Sequence, residues 1–298
     1  MKISKSSMEK SINKSGYLFL LPALLIVFIV FIIPLITSLY LSFTKWNYME
    51  AGSTPKFAGL QNYINNLTNP GDVNSFKITF IFVFITVALE LIIGLSIALL
   101  LNRKFKGLNI FRTLIILPMM VSEVVAALCW RYMLQSDFGI INYLLVKIGI
   151  GAQVWGGGKY AFSTIVVMEL WQQTPFAILI ILAALQSISI DVLEAADIDG
   201  ASYFQKLFRV VLPNIKPQIL IVLIFRTMFA MRVFTQPYVL TGGGPADKTL
   251  VLGINIYRKA FRYYDMGGAN SLSWILVVTS MLIIIAYILL LNKEEYQK

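Results

Sequence analysis

Six apolar stretches, each long enough to cross a lipid bilayer as an α-helix, constrain the fold more than any other feature of this sequence. The hydrocarbon core of a bilayer requires roughly 20 apolar residues in helical conformation. Allowing a few polar interruptions, the stretches are Tyr17–Phe43, Ile78–Leu101, Thr113–Leu134, Phe162–Leu185, Gln218–Leu240 and Ser271–Leu291. Because 58% of the residues are hydrophobic and only 13% are charged, we predict an all-α, polytopic membrane protein with six transmembrane helices.

The distribution of charge supports this class. The formal net charge is +10, but Lys and Arg gather at the ends of the apolar stretches, which favours membrane topology over nucleic-acid binding. With the N-terminus inside, most of these cations face the cytoplasm, so we expect both termini and residues 191–213 on that side. The first stretch is too long for a signal-peptide core, and we interpret it as a retained anchor. Cys129 is the single cysteine and histidine is lacking, which argues against a Cys/His metal site.

We expect one membrane domain without tandem repeats. Its parts are a cytoplasmic N-terminal segment at 1–16, a first transmembrane helix at 17–43, and a core of five transmembrane helices at 76–292 that carries a cytoplasmic hairpin at 191–213. Asn69-Pro70-Gly71, in the first outer loop, is typical of a turn. A short helix is expected in the next outer loop, near Ile140–Ile148.

The segment from Asp191 to Pro217, DVLEAADIDGASYFQKLFRVVLPNIKP, predicts two short helices joined by a glycine turn. Two pairs have the spacing of capping boxes: Asp191 with Glu194, and Ser202 with Gln205. Gly200 lies between the helices, where a sharp turn requires a residue that tolerates positive φ. Pro213 is expected to end the second helix. A capped hairpin between two spans is suited to docking in a partner and transmitting force.

Polar residues within the apolar stretches are costly in lipid and are expected to face the bundle interior or water. Two interpretations are open: the residues pair with one another, as Glu169 with Arg226, or they line a polar cavity. We favour pairing for Glu90. We favour the cavity for Trp171, Gln172 and Gln173, because amides suit hydroxyl groups, an aromatic face stacks on a sugar ring, and Pro175 kinks the span. The candidate path residues are Glu123, Glu169, Trp171, Gln172, Gln173, Arg232 and Gln236.

No catalytic or nucleotide-binding motif is evident. Gly158-Lys159 invites comparison with a phosphate-binding loop, but Gln153 stands where the first glycine belongs and Tyr160 replaces the Ser or Thr. Without histidine or a paired-carboxylate motif, we do not expect an enzyme. If the chain's function uses ATP, a separate subunit must hydrolyse it.

The hairpin resembles a family signature. Its residues Glu194-Ala195-Ala196, Gly200, Val210 and Leu212-Pro213 are similar to the EAA motif of ABC-importer membrane subunits, with Val210 where the family usually has isoleucine. Further residues resemble the carbohydrate-uptake branch, in its maltose-permease-F-like half: Trp171, Pro175-Phe176, Leu182–Ile188, Leu240–Pro245, Thr249, Tyr257, Ala260-Phe261 and Gly267. The stretch Gly267–Ser271 departs modestly from the more alanine-rich family pattern. The resemblance covers most of residues 78–291.

This resemblance implies the type I importer permease fold in a bacterial plasma membrane, and alternating access for a sugar or oligosaccharide. It implies a second permease subunit, two copies of an ATPase that bind ATP and Mg, and an external substrate-binding protein. The residues implied in ATPase coupling are Glu194, Ala195, Ala196, Asp199, Gly200, Leu212 and Pro213. The outer-loop motif is Thr241, Gly242, Gly243, Gly244 and Pro245. The alternatives are import of sn-glycerol-3-phosphate, with Arg232 or Arg226 binding the phosphate, a secondary transporter, or a membrane-embedded enzyme.

Overall fold

The computed structural model describes residues 19–50, 52–103 and 105–295, with side chains to residue 289. The predicted N-terminal segment at 1–16 lies outside the described residues. The chain divides into two compact units. The smaller unit runs up to Asn66 and includes Lys259–Trp274, and the larger unit contains Leu67–Arg258 and continues from Ile275.

The smaller unit is built on α1 (Phe19–Ser42), which contains a π-helical turn at Phe28–Ile32. A two-stranded antiparallel sheet follows, with β1 (Thr44–Lys45) paired to β2 (Lys56–Phe57), and then α2 (Gln61–Thr68). The Asn62 amide of α2 donates to the backbone oxygens of Ser42 and Thr44, at 2.9 and 2.8 Å. These bonds satisfy carbonyls at the end of α1 and fasten α2 to β1.

The larger unit is helical in its described residues. Its elements in chain order are α3 (Pro70–Leu101), α4 (Leu108–Met120), α5 (Glu123–Met133), α6 (Ile140–Lys147), α7 (Ala161–Gln186), α8 (Ile190–Ile198), α9 (Tyr203–Lys206), a π segment (Leu207–Val211), α10 (Leu212–Asn214), α11 (Lys216–Met231), α12 (Thr235–Thr241), α13 (Leu252–Phe261) and α14 (Met266–Glu295), of which α13 and α14 extend into the smaller unit. The short helix expected near Ile140–Ile148 is confirmed as α6.

The pair α3 and α7 forms the centre of the larger unit. A Cβ atom added at Gly94 of α3 would lie 2.9 Å from the Cβ of Ala177 on α7. The glycine therefore allows the two helices to approach closely, as small residues do in membrane helix packing. Around this contact, a cluster of buried apolar residues joins α3, α7, the π segment and α11: Ala98, Leu101, Ala177, Ile178, Ile181, Leu182, Ala184, Leu185, Val211, Ile215 and Val222.

The helices confirm the predicted all-α membrane class. Within the described residues, five helical segments are long and apolar enough to cross a bilayer, and the α4–α5 pair would provide a sixth. The expectation of one continuous third span at Thr113–Leu134 is wrong, because α4 and α5 meet at 98°. Pro118 deprives the last turn of α4 of an N–H, and Val121 and Ser122 then adopt extended ψ angles of 136°. The fifth span is also interrupted, between α11 and α12.

The second span begins earlier than its apolar stretch. Asn69 is the N-cap of α3, and its side-chain oxygen accepts hydrogen bonds from the N–H groups of Gly71 and Asp72, at 2.9 and 3.2 Å. Pro70 occupies the first turn, where its missing N–H costs nothing. The sequence Asn69-Pro70-Gly71 therefore starts a helix, and the prediction of a turn there is wrong.

Candidate functional site

Arg226 of α11 is the centre of a buried polar cluster in the larger unit. Only 1% of the residue is exposed. Its guanidinium holds Glu90 of α3 through two bonds, Nε to Oε2 at 2.6 Å and Nη2 to Oε1 at 2.8 Å. This bidentate geometry is the strongest that an arginine and a carboxylate can form. Pairing, the interpretation favoured for Glu90, is what the structure shows.

The same guanidinium reaches α7. Its Nη2 donates to Glu169 Oε1 at 2.7 Å, and its Nη1 donates to Gln173 Oε1 at 3.1 Å. All three guanidinium nitrogens are thus engaged with side chains of α3 and α7. The predicted Glu169–Arg226 pair is confirmed, and Arg226 ties its own helix α11 to α3 and α7.

Two further amides extend the cluster to the break between α4 and α5. Gln236 Nε2 of α12 donates to Glu169 Oε2 at 2.9 Å and to Gln172 Oε1 at 3.2 Å. Gln172 Nε2 in turn donates to the backbone oxygen of Val121 at 2.9 Å. A carbonyl freed by the bend is thereby satisfied inside the protein, as membrane-embedded backbone requires.

A cavity of about 400 Å³ opens beside this cluster. Its lining residues come from α5, α7, α11, α12 and the break between α11 and α12: Glu123, Glu169, Gln173, Phe229, Arg232, Val233 and Gln236. The candidate path residues Glu123, Glu169, Gln173, Arg232 and Gln236 are brought together here. Arg131, eight residues beyond Glu123 on α5, is exposed.

The structure corrects the placement of two candidate residues. Trp171 is 42% exposed and packs edge-on against Trp130, with ring centroids 5.8 Å apart. Successive helical residues turn by about 100°, so Trp171 lies on the opposite face of α7 from Glu169 and Gln173. Gln172 is buried behind the lining, where it bridges Val121 and Gln236. Neither residue lines this cavity.

Phe229 and Val233 line the cavity, although sequence reasoning assigned no function to the phenylalanines. The Arg232 guanidinium lies over the Phe229 ring, 5.5 Å from its centroid. Phe229 stands three residues from both Arg226 and Arg232. This helical spacing places Phe229 on the same side of the chain as the two arginines. The spacing is the sequence signal from which its position at the cavity could have been predicted.

The hairpin has the predicted turn and one of the two predicted capping boxes. Gly200 has a φ of +71°, and the boxed residues Ser202 and Gln205 exchange bonds of 2.8 and 3.4 Å. The box at Asp191 is wrong. The helix α8 starts earlier, with Ser189 as its N-cap, so Asp191 lies inside the first turn, where its charge favours the helix N-terminus.

The helical path continues through Pro213 to Asn214, so the prediction that Pro213 ends the helix is wrong by one residue. The N–H of Leu212 bonds to the oxygen of Leu207, which makes the preceding turn a π turn. Pro213 then falls in the first turn of α10, where its missing N–H is tolerated. The wide turn accommodates the proline without breaking the path.

The turn region of the hairpin presents exposed groups. Glu194, Ala195, Asp199 and Gly200 are exposed, whereas Ala196 is buried. Beside them, Ile198 is 87% exposed, and Phe204 and Phe208 are also exposed. Large apolar side chains exposed in the same segment as charged ones are typical of a protein-binding surface. Lys206 pairs with Asp197 across the turn and ties α9 to α8.

The outer-loop motif forms a compact turn. Gly242 and Gly243 have φ angles of +61° and +96°. The hydroxyls of Thr241 and Thr249 lie 2.7 Å apart, and the Thr249 hydroxyl also donates to the Gly244 oxygen at 2.6 Å. Sequence reasoning did not single out Arg258, which donates to the Gly242 oxygen at 2.7 Å and so holds the turn closed.

Comparisons with known proteins agree with this architecture. Residues 90–293 match the family described as "Binding-protein-dependent transport system inner membrane component". The trehalose/maltose transport system permease protein MalF of Thermococcus litoralis is 36% identical over 288 residues, covering 96% of this chain and 95% of that protein. The sulfoquinovosyl glycerol transport system permease protein SmoG of Agrobacterium fabrum is 30% identical over 279 residues, covering 93% and 90%.

Among solved structures, one subunit of a bacterial ABC transporter involved in the import of the acidic polysaccharide alginate has the same fold. The TM-score is 0.83 at 20% identity, and the match covers 97% of this chain and 99% of that one. The broken spans and the hairpin therefore occur in a chain whose fold is shared along almost its entire length.

Proposed function

The chain belongs to the binding-protein-dependent transport system inner membrane components and is a permease subunit of an ABC importer, and from this premise we propose that it translocates a sugar or an oligosaccharide. Relatives that align over more than nine-tenths of the chain are named for trehalose and maltose and for sulfoquinovosyl glycerol. A sugar is therefore the class of cargo that both the family resemblance and the chemistry of the cavity support.

The observation that carries this proposal is the polar cavity at the two interrupted spans. Irregular backbone at membrane depth is tolerated where it lines a cavity, and transporters place their binding sites at such helix breaks. Gln173, Gln236 and Glu169 offer amide and carboxylate groups there, and Phe229 offers an aromatic face. This combination is suited to hydroxyl groups and to the C–H face of a sugar ring.

Our proposal includes the partners that the sequence analysis anticipated. They are a second permease subunit, two copies of an ATPase that hold ATP and Mg, and a binding protein that delivers the cargo. This chain then performs no hydrolysis itself. The hairpin would dock on the ATPase through its exposed side chains Ile198, Phe204 and Phe208, together with Glu194. The turn at Gly200 would hold its two helices in a fixed orientation.

A packing path supports mechanical coupling between the hairpin and the cavity. Val211 of the π segment and Ile215 belong to the same buried cluster as Ala98 of α3 and Ile181 of α7. Such a packed interior transmits displacement instead of absorbing it. A movement of the hairpin would therefore shift α3 and α7, and with them the residues that line the cavity, which gives alternating access.

The structure removes part of the argument for sn-glycerol-3-phosphate as the cargo. Arg226 was one of two arginines considered for the phosphate, but Glu90, Glu169 and Gln173 already engage its three guanidinium nitrogens. Membership of the ABC importer family replaces the secondary-transporter and membrane-enzyme alternatives.

The test is uptake by the assembled importer. The chain would be purified with the subunits that accompany it and reconstituted in liposomes, and accumulation of labelled sugars would be followed with and without ATP. We expect sugar accumulation that requires both ATP and the ATPase subunit. Accumulation that persists without the ATPase, or no sugar accumulation under any condition, would contradict the proposal.

A further inference from the structure

We infer that the part of the transport path lined by this chain selects uncharged, hydroxyl-rich cargo and rejects anionic sugars, with Glu123 and Glu169 as the selecting residues. This inference rests on the proposed function and deepens it. Family membership leaves the question open, because a solved structure of the same fold belongs to an importer of an acidic polysaccharide.

The lining of the cavity holds more carboxyl groups than guanidinium groups. Glu123 and Glu169 contribute two carboxylates, and Arg232 contributes the one guanidinium among the described residues that line the cavity. A phosphate, sulfonate or carboxylate on the cargo would enter a space whose lining holds two carboxyl groups and one guanidinium. Charge repulsion that opposes the wrong ligand is a common source of specificity.

The buried guanidinium of Arg226 is not available to bind an anionic group on the cargo. Arg226 donates two hydrogen bonds to Glu90, one to Glu169 and one to Gln173. A guanidinium has five N–H donors, so four are used within the cluster. These four donors are engaged by the neighbours of Arg226, so the cluster does not supply a free cation to an anionic cargo.

Hydrogen bonds within the cluster orient the amide groups of Gln173 and Gln236, which both line the cavity. The Gln173 oxygen accepts from Arg226, which can only donate, so its NH₂ group is the part left for a ligand. The Gln236 NH₂ group donates to Glu169, so its oxygen is the part left. The cavity therefore offers a donor and acceptors in fixed positions, which match hydroxyl groups because a hydroxyl both donates and accepts.

The experiment compares neutral oligosaccharides with the same oligosaccharides oxidised to a uronate at one terminal C6. Uptake of both series is measured with the complete reconstituted importer containing wild-type chain, Glu123→Gln, or Asp137→Asn. Asp137 is an exposed acid between α5 and α6, outside the cavity lining. It therefore controls for the loss of one negative charge elsewhere in the same chain.

We expect wild type to accumulate neutral sugars and to exclude the uronates. In Glu123→Gln, the ratio of uronate to neutral uptake should rise by about tenfold or more, since removing a like-charge contact recovers at least one decade of affinity. The Asp137→Asn ratio should equal that of wild type. Efficient uronate uptake by wild type, or a Glu123→Gln ratio equal to the control, would overturn the inference while leaving sugar import intact. Absence of ATP-driven uptake of every sugar would instead defeat the proposed function, and the inference with it.

Discussion

The cluster around Arg226 and the hairpin at 191–213 are both rich in charged and polar residues, but they differ in where those residues find partners. Arg226, Glu90 and Glu169 are buried and satisfy one another across α3, α7 and α11. The turn region of the hairpin instead exposes Glu194 and large apolar side chains to its surroundings.

This difference separates residues that hold the fold together from residues that act on something outside it. Polar groups in a membrane protein are retained where they are mutually paired or where they serve a ligand. The cluster meets the first condition within this chain. The exposed face of the hairpin meets the second condition when a partner protein binds it.

Removal of Arg226 should have the largest effect. Arg226→Met leaves two buried carboxylates without their cation, and breaking a buried pair in this way costs about 3–5 kcal/mol. We expect a marked loss of thermal stability in detergent, measured by the fraction that remains monodisperse after heating. The double variant Arg226→Met with Glu90→Gln, which removes one of the stranded charges, should recover part of that loss. Equal stability of wild type and Arg226→Met would show that the cluster does not hold the helices together.

Gly200→Val tests the other side of the comparison. Valine at a φ of +71° is strained by roughly 1–3 kcal/mol, which corresponds to roughly 5- to 150-fold in the population of the native turn. We expect uptake to fall by such a factor while membrane insertion is unchanged. Uptake is measured in proteoliposomes and insertion by membrane fractionation.

Gly149→Val is the matched control for this variant. Gly149 follows α6, has a φ of +81° and, like Gly200, has open space where a Cβ atom would be added. The substitution therefore carries a similar backbone strain outside the hairpin. The hairpin turn would have no special role if Gly200→Val showed wild-type uptake with normal ATPase docking. The same conclusion would follow if both variants lost uptake equally.

The neighbouring amides Gln172 and Gln173 sharpen the boundary between the buried cluster and the cavity. Gln172→Ala removes the donor to the Val121 oxygen and an acceptor of Gln236, and each lost hydrogen bond costs about 0.5–1.5 kcal/mol. We expect Gln172→Ala to lower thermal stability more than Gln173→Ala, and Gln173→Ala to alter cargo selection more. If Gln172→Ala left stability unchanged but altered sugar preference, Gln172 would be a residue of the cargo path and not a structural one.

The sequence predicted the helical membrane class, the turn at Gly200 and most of the cavity lining, because length, apolarity and positional chemistry are local signals. It could not assign Glu90 to Arg226, since their contact depends on how α3 packs against α11, two helices that are far apart in the sequence. The bend after Met120 was also not predicted from the sequence. The apolar stretch is continuous there, and only Pro118 signals the break.

The central claim, that this chain is driven through its hairpin, is tested most directly by co-purification. Tagged wild-type chain and Glu194→Lys would be purified from detergent extracts, and the accompanying proteins identified by mass. We predict that wild type recovers an ATPase and a second permease, and that Glu194→Lys retains the permease and loses the ATPase. Recovery of the chain alone and intact, or an equal amount of ATPase with both forms, would contradict the account.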